Sequence, residues 1–172
     1  MARKYEQYIH PYTDGRRPVG GPVIASINGT FLPNIKSVMI PGSNFYLFHW
    51  VLPSSSPQMQ NIPLFHPPHI HKDAELLFHI GTNPDDPGDL GAEVEFYMGE
   101  EMERYVFNRS TVVFIPAGVV HSPWRILKTV RPWIVLQIAQ GSEHTEKFFP
   151  ELVPEEMRDK VDWSLWPDHG FN

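Results

Sequence analysis

Apolar residues in this chain come in short runs, several of which alternate with polar ones. Along AEVEFYM, Val94, Phe96 and Met98 fall on one side and Glu93, Glu95 and Tyr97 on the other. That period of two predicts a strand with one face buried. The Met98-Gly99-Glu100-Glu101 turn then reverses the chain into Met102–Phe107, giving a hairpin. Asn108-Arg109-Ser110 reads as a second turn. Thr111–Ile115 (TVVFI) is a β-branched strand stopped by Pro116-Ala117-Gly118, and Pro132–Ala139 (PWIVLQIA) is a further buried strand. Glu75–Ile80 is a shorter β run, followed by a polar loop from Gly81 to Gly91. Lys36–Leu52 holds two apolar runs split by Pro41-Gly42-Ser43-Asn44, a hairpin or sharp bend, and 53–60 is a loop.

Short strands separated by turn signals predict an all-β domain, a sandwich or barrel. The division expected is an irregular N-terminal arm over 1–35, a β body over 36–140, and a tail over 141–172 packed on that body. In the tail a weak helical period spans Pro154–Val161, with proline at the first turn and Glu155-Glu156 placed to suit a helix dipole. Composition agrees. The 172 residues suit one domain, and 18 prolines, about twice the usual share, break helices.

Charge and composition also exclude. A formal net charge of −6, with no basic run longer than Arg16-Arg17, argues against nucleic acid and anionic membranes as partners. The apolar runs are too short to span a bilayer. MARKYEQYIH has no apolar segment behind its charges, so a cytoplasmic protein is the expectation. Cysteine is absent. A metal would therefore sit on nitrogen and oxygen alone.

The donors for such a site gather in HPPHIHKDAE, residues 66–75. His69 and His71 are two apart, so in extended chain both point one way, their alpha carbons roughly 6.6 Å apart. Glu75 has the same parity, yet four extended residues carry it about 13 Å from His71. It joins the pair only if Lys72-Asp73-Ala74 bends. His121, beyond the Pro116-Ala117-Gly118 turn, is the candidate for a fourth donor.

HIHKDAE, from His69 to Glu75, resembles the first motif of the cupin superfamily, and IPAGVVH, from Ile115 to His121, resembles the second. They stand in the right order with a hairpin between them. The resemblance implies a jelly-roll β-barrel and places the metal ligands on His69, His71, Glu75 and His121. Two positions depart from the pattern: Gly81 comes one residue early, and Asn108-Arg109 stands where a Gly-Asp turn often precedes the second motif.

The set suits one divalent transition metal per chain, whether Fe, Mn, Ni, Cu or Zn, with positions open to a small-molecule substrate. Many cupins with this set are dioxygenases, and the aromatic-rich strands would wall a water-excluding site, so dioxygenase chemistry is expected, with Glu75 available as a catalytic base. Sugar or sugar-acid isomerase or lyase chemistry is the alternative, as is non-catalytic metal-dependent binding. A homodimer is expected.

The remaining candidates are read more plainly. His66 belongs at a rim, and His79 on a hydrogen-bonded wall. His10, His144 and His169 are expected in solvent, as are Glu93 and Glu95. His49 is open between packing and an inward role. Arg104 and Arg125 are surface residues unless they clamp a substrate carboxylate. Trp124 walls the site or packs in the core.

Overall fold

The computed structural model describes residues 44–51, 53 and 66–171, with the backbone alone at 46–50 and 165. The expected arm over 1–35 and the first half of the Lys36–Leu52 hairpin lie outside these residues, as do His10 and the side chain of His49. Among the described residues nine strands follow one another: β1 (Phe45–Val51), β2 (His69–Ile70), β3 (Glu75–Gly81), β4 (Asp89–Met98), β5 (Glu103–Arg109), β6 (Thr111–Ile115), β7 (His121–Thr129), β8 (Trp133–Ala139) and β9 (Lys147–Phe148). They form two sheets, ordered β1-β8-β3-β6 and β5-β4-β7-β2-β9. Every pairing is antiparallel.

Inward parity builds the core. Val94 and Phe96 of β4, Ile115 of β6, Trp124 of β7, and Trp133 and Val135 of β8 are buried in one cluster with Val51, Leu90 and Ala92. Trp124 thus packs in the core rather than standing apart from it. Each fully buried side chain of this size contributes roughly 1.5–3 kcal/mol by leaving water. Gly81 ends β3 where a Cβ would lie 2.1 Å from the Asp89 carbonyl oxygen, so the early glycine is required by the close approach of β4.

Two sequence expectations are revised, and one strand is added to them. Asn108 and Arg109 stay in β5, and Ser110 alone separates it from β6 in the other sheet. A strand, β7, runs through Pro123, whose missing N–H hides it from a pattern reading. Glu95 is not in solvent. It is buried on the outer side of its sheet, where Arg104 of β5 (2.5 Å) and Arg125 of β7 (2.9 Å) cover its carboxylate. Both arginines are therefore engaged with Glu95.

The tail has little helix. A single α-helical turn, Glu155–Arg158 with Pro154 at its N-cap, lies between 3-10 turns at Pro150–Leu152 and Trp163–Leu165. The tail is tied down elsewhere. β9 pairs with β2, Glu146 and His169 exchange backbone hydrogen bonds of 2.8 and 2.7 Å, and the buried Phe148 donates its amide to an Asp168 oxygen. Among the described residues no helix is long and apolar enough to cross a membrane.

Candidate metal centre

Strand pairing brings the two motifs together. His69 on β2 is the direct cross-strand partner of His121 on β7, and their ring centroids are 4.1 Å apart. Such partners have Cβ atoms about 4.5–5.5 Å apart, so two inward imidazoles there must meet. Beyond Ile70 the chain bends at Lys72 and Asp73, and β3 resumes at Glu75. The bend is held by the Gln140 amide donating to the Ala74 carbonyl at 2.8 Å. The carboxylate therefore returns to the histidines, as the bend required.

The second motif is fastened to the first. Gly118, at φ +75°, takes the left-handed turn that glycine adopts without strain. Its amide donates to the His71 carbonyl at 3.0 Å. His69, His71, Glu75 and His121 are all buried, none more than 4% exposed. His71 Nε2 lies 3.2 Å from His69 Nε2 and 3.1 Å from a Glu75 oxygen, and His121 Nε2 is 3.5 Å from that same oxygen. Donor atoms of the three histidines lie within 4.8 Å of one another.

The other side of each ring sets its tautomer. His69 Nδ1 faces the Pro67 carbonyl at 2.8 Å, His121 Nδ1 faces that of Val119 at 3.1 Å, and His71 Nδ1 faces that of Thr145. A carbonyl only accepts, so each Nδ1 carries the hydrogen, and each ring, when neutral, presents its Nε2 lone pair inward. Backbone carbonyls commonly orient metal-bound imidazoles in this way. Glu75 Oε1 is buried without a hydrogen-bond partner among the described residues. Three lone pairs and a carboxylate thus converge where only a proton or a cation relieves them.

The titration directions carry the same tension. Burial, then the neighbouring histidines, hold His69 well below its usual pKa. Burial also lowers His121. Burial opposes the charge on His71 most strongly, but the hydrogen bond and charge of Glu75, with the Thr145 carbonyl and Glu146, together outweigh it, so the net shift is upward and His71 is the ring drawn toward the relieving proton. Burial would raise Glu75, yet hydrogen bonds from His121 and His71 hold it far below the carboxylate range. A nitrogen and oxygen set of this kind fits a divalent transition metal.

Further groups surround the four. His66 is partly buried, its Nε2 3.0 Å from Glu146, and its ring stands 4.2 Å from that of His69, a rim position as expected. His144 is not in solvent. Its ring lies 4.8 Å from His71 and stacks on Phe45 at 4.9 Å, and burial lowers its pKa to about 4. Glu146, which no sequence pattern singles out, is held at about 2, where the cost of burial is overcome by hydrogen bonding to His66 together with the charges of His66, His144 and His71. Phe148 (5.5 Å from His69) and Phe96 (6.2 Å from His121) add aromatic walls. His79 sits apart from this group, its Nε2 accepting from Trp124 Nε1 at 2.9 Å. His169 is exposed.

No family model and no curated protein matches the chain. Solved structures do. An oxalate oxidase is 13% identical, with a TM-score of 0.44 over 80% of this chain and 62% of its own. An oxalate decarboxylase is 12% identical, with a TM-score of 0.47 over 87% of this chain and 35% of its own. An uncharacterized protein with a double-stranded β-helix domain from Klebsiella pneumoniae is 11% identical, with a TM-score of 0.48 over 86% and 96%. The chain spans 62% of the length of the oxalate oxidase. In class, then, this is a mainly antiparallel β protein that resembles the cupins in both motifs and in the meeting of their four side chains.

Proposed function

We propose that the chain is a metal-dependent cupin acting on a small organic molecule, by oxidation of the dioxygenase type. What supports this most is the convergence of three buried Nε2 lone pairs, each fixed by a carbonyl behind it, on the Glu75 carboxylate. His69, His71, His121 and Glu75 would hold one divalent ion. Such an ion supplies Lewis acidity and, where redox-active, the electrons that O₂ chemistry demands. Iron is therefore the favoured occupant.

The chain's own groups define the rest. Phe96 and Phe148 exclude water beside the histidines. Glu75 serves twice. One oxygen faces His71 and His121 and would hold the ion; the carboxylate would act as a general base only on swinging away from it. A homodimer, readable by light scattering, belongs to the same proposal.

The test is oxygen uptake by iron-loaded protein against a panel of phenolic and keto acids, beside elemental analysis of protein purified without added metal. The proposal expects close to one ion per chain and substrate-dependent uptake that stops on chelation. Turnover of a sugar acid without oxygen would replace dioxygenase with isomerase or lyase. Metal retention with binding and no turnover would leave a binding protein.

A further inference from the structure

His144 stands outside both cupin-like motifs, on the segment after β8, yet it comes close to two of the four expected ligands. A ring nitrogen of His144 and the donor atoms of His71 and Glu75 all lie within 4.8 Å of one another. With bonds of about 2.1 Å, donors on an octahedral ion are about 3 Å apart when adjacent and about 4.2 Å when opposite. Spacings inside 4.8 Å thus bring a His144 nitrogen near His71 and Glu75, two of the four expected ligands, at the range from which a small side-chain movement lets one ion reach all three. The ring is also held in place. Phe45 stacks on it at 4.9 Å, and Gln137 of β8 meets its Nε2 at 3.0 Å. The segment itself is anchored, because Thr145 receives the His71 ring at its carbonyl and the Lys72 amide at its hydroxyl (2.9 Å). The segment that carries His144 is therefore tied to the one that carries His71.

We infer that His144 is a fifth protein donor to the metal, so the centre is built from four histidines and one glutamate. This rests on the metal-binding reading above and sharpens it. Four donors leave an octahedral ion two open positions, enough for a chelating substrate. Five leave one. The preferred substrate then binds through a single oxygen, and a chelating molecule binds only by displacing His144.

Cobalt(II)-loaded full-length protein tests this by visible absorption, with azide as a one-point probe and acetohydroxamate as a chelating one. The inference expects one cobalt per chain, and an altered cobalt spectrum in His144→Ala. It also expects acetohydroxamate to bind that variant at least tenfold more tightly than wild type, with azide changed far less. Copper(II)-loaded wild type gives a second reading that needs no variant: pulsed EPR should count four coordinated imidazoles. Three imidazoles, an unchanged cobalt spectrum with unchanged hydroxamate affinity, or two cobalt ions per chain would each overturn it. Wild type that binds cobalt while giving those results loses only the fifth donor. Wild type that takes up no cobalt or copper loses the metal-binding reading as well.

Discussion

Strand β3 carries a buried titratable group at each end, and the two live in different surroundings. At one end Glu75 meets His69, His71 and His121, where each inward ring nitrogen faces another ring or the carboxylate. At the other end His79 lies among Trp124, Trp133 and Phe107, and its Nε2 accepts one hydrogen bond from Trp124. Both ends are equally buried. The Nε2 lone pair of His79 is satisfied by the protein itself, and burial lowers the pKa of the ring to about 4, so it stays neutral. The Glu75 end is left short of positive charge. Burial and residue type do not separate a structural histidine from a ligand; the partner of the lone pair does.

Substitutions should split along that line. Trp133→Ala empties the apolar end and should cost about 3–5 kcal/mol of stability in denaturant unfolding, while molecules still folded keep their metal affinity. His69→Ala or His121→Ala should act in the opposite sense. Metal affinity, read by titration, should fall by more than ~100-fold, beyond what losing an outer partner costs. The melting temperature in chelator should stay near that of wild type, because removing one inward lone pair relieves the metal-free cluster.

Acid divides the ends too. In the unfolded chain His79 takes a proton near the ordinary histidine value of 6.5, and in the folded form only near 4. Between those values the unfolded state binds more protons, so stability falls as pH falls. His79→Phe should remove that part of the decline, roughly 3 kcal/mol for the fall from 6.5 to about 4 at 1.36 kcal/mol per pH unit. Glu146, held at about 2, adds stability above its ordinary 4.5 that is lost as pH drops below it, so acid lability should persist there in the variant. The smallest effect is expected for Trp124→Phe. It removes the donor to His79, costs about 1 kcal/mol, raises the His79 pKa as read by NMR, and leaves metal binding unchanged.

Much of this comparison is legible in the residues. The parity of His69, His71 and Glu75, the bend between them and the turn before His121 are local features, and local geometry places them. His144 and Glu146 are not legible. They reach the centre through pairings such as Lys72 with Thr145, 73 residues apart, and nothing near them in sequence reports it. Glu95 misleads for a related reason. Its parity correctly puts it on the outer face, but its burial comes from arginines on two neighbouring strands. β7 is masked by Pro123, and β9 is too short to show a period.

The most direct measurement is anomalous scattering from crystals of protein loaded with a single divalent transition metal. One strong peak is expected about 2.0–2.2 Å from Nε2 of His69, His71 and His121 and from a Glu75 oxygen. A peak bonded to other residues, or none after loading, would contradict a shared ion at the meeting of the two motifs.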